Sequence, residues 1–375
     1  MTLGVVLSVA AGTAAQSQTT EPPPITELGP YGVGVRVLEL VDEQRENWTL
    51  TTTVWFPADP TQGRHMNPAS PLLLNAVPDL SSAPYPLIIY SHAGTARTVS
   101  GAVSSGSGAD LPGVNEFLAS HGFVVAAADH HDAVPRLELV DRPLDIMLIM
   151  DSLDAITEGT LAGMIDTTNV GLMGYDQGAV AALQMLGLFR DPIHFTEWCA
   201  EYTDPKNWDC SPPPRWVETG QFVAYSMDAI AEYRASLGLQ NDSEGRWQPF
   251  GDERIRAVLA FGACHFPLTT EDMLAAVTTP TMILYGYKAS ENMCDYENNA
   301  VRTYAHLGTD DRYLITMPDT DNDITIRSKW EVVQHFATAF FGYHLKSDEA
   351  FAAYLTPEGM PALNTRLVWG PYEGE

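Results

Sequence analysis

The sequence predicts an α/β protein, with a mostly parallel central sheet flanked by helices and a cap inserted late in the chain. Three features of the 375 residues carry this. Short runs rich in β-branched residues recur, amphipathic segments alternate with them, and the later runs are continuously apolar, as strands covered on both faces are. Strand, helix, strand alternation implies parallel pairing, because each return to the sheet needs a crossover.

The first two runs, VRVLEL at 35–40 and LTTTVWF at 50–56, are separated only by a short polar stretch from Val41 to Trp48. They predict an antiparallel hairpin at a sheet edge. PLIIYS at 86–91 and GFVVAAADH at 122–130 follow, with a helical segment at 113–121 between them. Helical patterns at 143–163 and 178–189 flank NVGLMG at 169–174. AVLAFGA at 257–263, TMILYG at 281–286 and RYLITM at 312–317 complete the series, and KWEVVQHFATAFFGYHL supplies a last helix against the sheet. Between about 189 and 252 the rhythm gives way to aromatic, acidic and Pro-rich sequence with one helical stretch at 222–237, which predicts the cap. One domain over 21–375 is expected, with no internal repeat.

Composition narrows the function. With 20 Lys+Arg against 48 Asp+Glu the formal charge is −28. Such a surface repels phosphate backbones and anionic headgroups, so nucleic acid is a poor partner. No stretch approaches the ~18 consecutive apolar residues of a membrane helix, and no membrane insertion is expected. Residues 2–15, TLGVVLSVAAGTAA, followed by QSQTTEPPP, look like the apolar core and cleavage site of a secretory signal without its positive start. Residues 1–20 are therefore expected to be a signal remnant and the protein to be secreted or periplasmic. Cys199, Cys210, Cys264 and Cys294 are compatible with two bridges in any of three pairings, or with four buried thiols. The sequons at Asn47 and Asn241 are too common by chance to carry an assignment.

The densest signal is Gly174-Tyr175-Asp176-Gln177-Gly178, between the NVGLMG run and a helical AVAALQML. A G-x-D-x-G at a strand-to-helix turn fits a nucleophile elbow, where small flanking residues permit a sharp turn and lift the central side chain above the sheet. The ordered set YGVGVRVLELVD, TTTVWFPA, YPLIIYSHAGTA, FLASHGFVVAAADHHDA, RPLDIMLIMDSL and IDTTNVGLMGYDQGA surrounds it. Together these resemble the platelet-activating-factor acetylhydrolase and dienelactone hydrolase branch of the α/β-hydrolases, over most of the chain except residues 1–28 and the cap.

The resemblance implies the α/β-hydrolase fold and an esterase-like ancestry. It also implies that all three triad positions have changed. Asp176 stands at the serine position; the acid position, three residues after Gly286, is Ala289, with Glu291 or Asp295 as substitutes; Asn322 stands at the histidine position. The oxyanion donors would be the backbone N–H groups of Gln177 and Ala93. Serine acyl transfer needs a nucleophilic oxygen, a base and an orienting acid, and none is present in its usual form. His335 and His344 fall on the final helix as structural residues, and His265 is the histidine whose place could reach a crevice at the strand ends.

Three functions follow as expectations. One is a non-catalytic family member that binds a small ester-like or apolar ligand, with Asp176 occupying the oxyanion hole and no cofactor. A second is a rebuilt hydrolase using Asp176 as nucleophile or base, as carboxylate elbows do in dehalogenases and epoxide hydrolases, assisted by Glu291, Asp321 or His265. A third is a metal site on the Asp319, Asp321, Asp323 loop. That loop departs from the EF-hand pattern at Ile324 and Trp330, and an acidic solvated loop explains it as simply. The Asp129-His130-His131-Asp132 run reads as structural, being ordinary for the family.

Overall fold

The computed structural model describes residues 25–46, 48–67, 70–94, 96–97, 103–104, 111–130, 138–188, 191–201, 227–264, 269–288, 295–323 and 329–374. The signal-like segment at 1–20 lies outside the described residues, as do both Asn47 and His131.

A hairpin opens the sheet: β1 (Gly32–Asp42) and β2 (Trp48–Ala58) pair antiparallel from Gly32 opposite Ala58 to Asp42 opposite Trp48. The turn closes because Asp42 Oδ1 accepts from Gln44 N at 2.9 Å while Glu46 adopts a left-handed conformation at φ 53°. β3 (Tyr85–Ser91), α1 (Pro112–Ser120), β4 (Val124–Ala128), α2 (Glu138–Asp154), β5 (Ile165–Tyr175) and α3 (Gln177–Gln184) follow. Then come α4 (Pro192–Glu201), α5 (Met227–Ser236), β6 (Ile255–Phe261), α6 (Glu271–Ala275), β7 (Thr281–Gly286), α7 (Arg302–His306), β8 (Arg312–Met317), α8 (Trp330–Lys346) and β9 (Val368–Trp369).

The nine strands form one sheet in the order β1-β2-β4-β3-β5-β6-β7-β8-β9, parallel from β4 through β8 and antiparallel at both margins. Alternation of side chains sets the two faces. Leu87 and Ile89 of β3 join the core under α2 and α3, with Ile149, Met150, Ala179 and Leu183. Ile88 and Tyr90 join the opposite core under α1 and α8, with Val114, Leu118, Phe336 and Phe340. Ile283, Tyr285 and Leu314 pack with Met273 and Leu274 of α6 in a third cluster. Each such side chain gains about 1.5–3 kcal/mol from burial, which is why the apolar runs predict strands so well.

Chain direction creates the functional end of the sheet. From β3 the chain passes through α1 to β4 on one side; from β4 it crosses through α2 to β5 on the other, and continues outward. Adjacent strands β3 and β5 thus send their following loops in opposite directions, and the crevice between them lies at their carboxyl ends.

Some expected boundaries move. The helix expected over 143–163 spans 138–154, because Gly159 (φ 83°) and Gly163 (φ 72°) turn the chain back towards β5. The strand expected over 122–130 is shortened by the left-handed Gly122 (φ 85°) to 124–128. No helix among the described residues is long and apolar enough to cross a membrane.

His335 on α8 is fully buried, and its Nδ1 accepts from Ile25 N at 2.9 Å, tying the segment before β1 to the last helix. Burial holds its imidazolium down at about 4, well below the usual 6.5. The unfolded chain therefore binds a proton here that the folded chain does not, so this contribution is complete above pH 6.5 and shrinks as pH falls towards 4. His335→Gln should flatten the pH dependence of urea-unfolding stability between those limits by up to about 3 kcal/mol; identical slopes in both proteins would refute the assignment.

Candidate functional site

The site is built on the turn between β5 and α3. Asp176 adopts φ 52°, ψ −113°, outside the left-handed helical well and rare for a residue with a Cβ. Two backbone hydrogen bonds hold it there, Asp176 N to Phe261 O at 2.9 Å and Val180 N to Asp176 O at 3.0 Å. Neighbouring backbone sits so close that a Cβ at Gly174 would overlap the Gly178 carbonyl, and one at Gly178 the Ser91 carbonyl. The two glycines of the G-x-D-x-G run are thus a steric requirement of the turn, and they place Asp176 directly over the switch point.

The Asp176 carboxylate leans across that crevice to the loop after β3. Gly94 N donates to Asp176 Oδ2 at 3.3 Å. This donor is one residue beyond Ala93, whose carbonyl instead accepts from Arg142 Nη2 at 3.2 Å. Gly94 too stands where a side chain would not fit, since a Cβ there would lie 2.8 Å from Gln177 Cγ. Gln177 opens α3, where backbone N–H groups lack intrahelical acceptors and the helix end favours negative charge. A carboxylate, a backbone donor and a helix start therefore converge on one spot.

Asn322 lies across the site. Its Oδ1 accepts from Gly286 N at 2.7 Å, and Gly262, at φ 61°, leaves room for it: a Cβ there would stand 2.8 Å from Asn322 Cβ. Its Nδ2 is buried beside the Tyr285 phenol. Burial raises the Tyr285 pKa despite the neighbouring Asn322 amide, and the Asp176 and Asp295 charges push it further up. Tyr285 thus stands near both residues, and the structure brings Asp176 and Asn322 to one end of the sheet.

The other candidates fare differently. Ala289, Glu291 and His265 lie outside the described residues. Asp295 is exposed and its carboxylate accepts from Asn298 N at 2.8 Å, capping the following helical turn. Asp319, Asp321 and Asp323 do not assemble a cation site: Asp321 Oδ1 accepts from Lys329 Nζ at 2.6 Å and from Asp323 N at 3.1 Å. The Lys329 hydrogen bond keeps the Asp321 carboxyl below its ordinary pKa. Among the described residues no group of three or more His, Cys, Asp or Glu side chains could hold a metal ion. Neither Cys199 nor Cys264 is a free thiol, and Cys210 and Cys294 lie outside the described residues.

One constellation escaped the sequence reading. Ser91 Oγ lies 2.9 Å from His130 Nε2, and His130 Nδ1 lies 2.8 Å from Asp145 Oδ2. Arg45 Nη2 donates to the other oxygen of Asp145 at 2.7 Å, and His92 Nε2 accepts from His130 N at 3.0 Å. Burial alone would lower the Arg45 pKa, but the Asp145 and Asp42 carboxylates outweigh it and hold it raised. The order Ser–His–Asp matches a catalytic triad, yet Ser91 is 1% exposed and Asp145 not at all. Such burial denies a substrate carbonyl access to the hydroxyl. What the chain does is brace the β3 loop: Arg142, anchored on α2, donates to the carbonyls of His92 and Ala93 and so aims the following Gly94 N–H at Asp176. The SH, DHHD and RPLD segments held the signal, but only tertiary structure joins residues 91, 130 and 145.

Comparison with known proteins leaves the site to speak for itself: no family model matches the chain, and no curated protein matches it.

Because Asp145 binds two buried partners, Arg45 and His130, His130→Ala and Asp145→Asn should each cost about 3 kcal/mol of unfolding free energy. The double variant should lose less than the sum, since both act on one chain of hydrogen bonds. Strict additivity in urea titrations would show the pair to be independent.

Proposed function

We propose that this chain is a catalytically silent α/β-hydrolase-fold protein, akin to the platelet-activating-factor acetylhydrolase and dienelactone hydrolase branch, that is exported and binds a small ester-like or apolar ligand at the crevice above β3 and β5. The observation that carries the reading is the Asp176 carboxylate resting on Gly94 N–H. In an esterase that donor would serve the oxyanion of a tetrahedral intermediate, and here a resident anion already satisfies it. The strained turn and its glycines support the elbow assignment.

Asn322 supports the loss of turnover. An amide nitrogen has no lone pair available to accept a proton, so a side chain at this place cannot act as general base. It supports binding equally well, because its buried Nδ2 offers a donor that a ligand oxygen would satisfy. Export is consistent with the absence of a free thiol at Cys199 and Cys264, since structural bridges persist in oxidising compartments.

Restoring the three positions tests the reading. Asp176→Ser, Ala289→Asp and Asn322→His combined should raise hydrolysis of short-chain nitrophenyl esters from background by about a hundredfold or more. A triple variant with native circular dichroism and a cooperative melt but no gain would show that these are not the triad positions. Turnover of an ester, a haloalkane or an epoxide by the native chain would overturn the silent-site reading itself.

A further inference from the structure

A second cleft opens at the opposite end of the sheet, beside the amino ends of β3 and β5. It encloses about 300 Å³, and its lining includes Tyr31, Tyr85, Gly122, Asp166 and Lys346. Lys346 closes α8 and is one of the residues lining the cleft. Its Nζ donates to His121 O at 2.5 Å and rests 3.9 Å from the centre of the Phe123 ring. Gly122, left-handed at φ 85°, makes room for it: a Cβ there would stand 3.0 Å from Nζ. No carboxylate among the described residues comes within ion-pair distance of this amine, although the chain carries 48 acidic side chains.

We infer that Lys346 is an acylation site: a nucleophilic amine that takes the acyl group of small activated donors, such as an acyl phosphate or a reactive ester, admitted through the cleft. A neutral amine has two N–H donors and one lone pair. One N–H is spent on His121 O and the ring of Phe123 covers one side, while Lys346 itself lines the cleft through which an electrophile would arrive. The lone pair attacks the acyl carbon and the N–C bond forms. The bond from that carbon to the leaving oxygen breaks, its electron pair departs with the phosphate or alkoxide, and the surplus ammonium proton passes to water.

Burial makes the neutral form accessible just above neutrality, while the Phe123 ring face and the His121 carbonyl favour the ammonium. Burial lowers the Lys346 pKa to about 8, against a smaller opposing pull from the Asp348 carboxylate. His121 lies on the turn before β4, and burial lowers its own pKa, so it adds little positive charge near neutrality. Tyr31 and Tyr85 face the cleft from the chain start and from β3, and burial raises the Tyr85 phenol well above its usual range. Asp166 faces it from β5, beyond ion-pair reach. Lysines at 206, 288 and 329 complete the set in this sequence. Lys329 is bound to Asp321 at 2.6 Å, and exposed Lys288 serves as an internal reference.

The experiment is limited acetylation of the native protein with N-acetoxysuccinimide over pH 6–10, each lysine being quantified by peptide mass spectrometry. At pH 8 Lys346 should react about tenfold faster than Lys288, with a rate profile half-maximal near 8. Lys346→Arg should abolish that fast event and leave the Lys288 rate unchanged. Reaction of Lys288 before Lys346, or a Lys346 profile rising only with that of Lys288, would overturn the assignment. The pH profile is read on the unaltered chain, so the test stands even if the arginine variant folds poorly.

Discussion

Backbone packed against backbone at the end of β5 is the constraint on which the rest of the site depends. Gly178 presses on the Ser91 carbonyl and Gly174 on Gly178, so that the start of α3 sits directly on the end of β3. Only residues without a Cβ allow that approach. The consequence is a side chain at position 176 held in an unfavourable backbone conformation, costing on the order of 1–3 kcal/mol, and fixed because its neighbours allow no other. The strain is local, while the packing that maintains it spans β3, β5, β6 and α3. A fold could relieve it with a gentler turn. Retaining it makes sense where the position above the crevice is worth the strain.

The loop opposite this turn is held by a different kind of force. Arg45, Asp145, His130 and Ser91 form a buried polar chain in which every charge has a partner. Desolvating such groups costs several kcal/mol each, and mutual attraction roughly offsets that, so the chain adds little net stability while being expensive to break. Its effect is geometric. It pins the strand ends that carry residues 91–94, and Arg142 then grips the carbonyls of His92 and Ala93, which leaves Gly94 N–H pointing into the crevice. A hydrogen-bond donor fixed in this way needs no reorganisation when an anion arrives, the property on which oxyanion stabilisation rests.

How much of this was legible in the sequence follows from how local each signal is. The strands could be read because continuous apolar runs such as PLIIYS and TMILYG match burial on both faces, and the strand-to-helix turn at 174–178 because its glycines and flanking elements lie within a few residues. Helix ends were less legible: α2 stops at Asp154 because the chain turns at Gly159, whereas the apolar pattern runs on to 163. β9 was invisible, being two partly exposed residues paired with β8. The Ser91–His130–Asp145 chain was illegible for a deeper reason, since its members lie on two strand ends and a helix and meet only when the sheet has formed. The same holds for the Lys346 cleft, where α8 reaches back to the turn before β4. The loop motif points to the Ala93 N–H, whereas the N–H that reaches Asp176 is that of Gly94, because a motif fixes the loop but not which N–H in it faces the crevice.

The fold and the chemistry place different demands on position 176. The fold requires a residue that tolerates positive φ between two glycines, and aspartate is among the residue types that visit such conformations more readily. Catalysis requires that the group be matched to a base and that the anion hole be vacant when the acyl carbon arrives. Asp176 meets the first demand, and its own oxygen takes the Gly94 donor. Asn322 shows the same division: its amide keeps the hydrogen bond to Gly286 N that ties the loop after β8 to the end of β7, but offers no proton acceptor of the strength a base needs. Asp176 and Asn322 thus stand at one end of the sheet, with a carboxylate on one side and a buried amide nitrogen on the other.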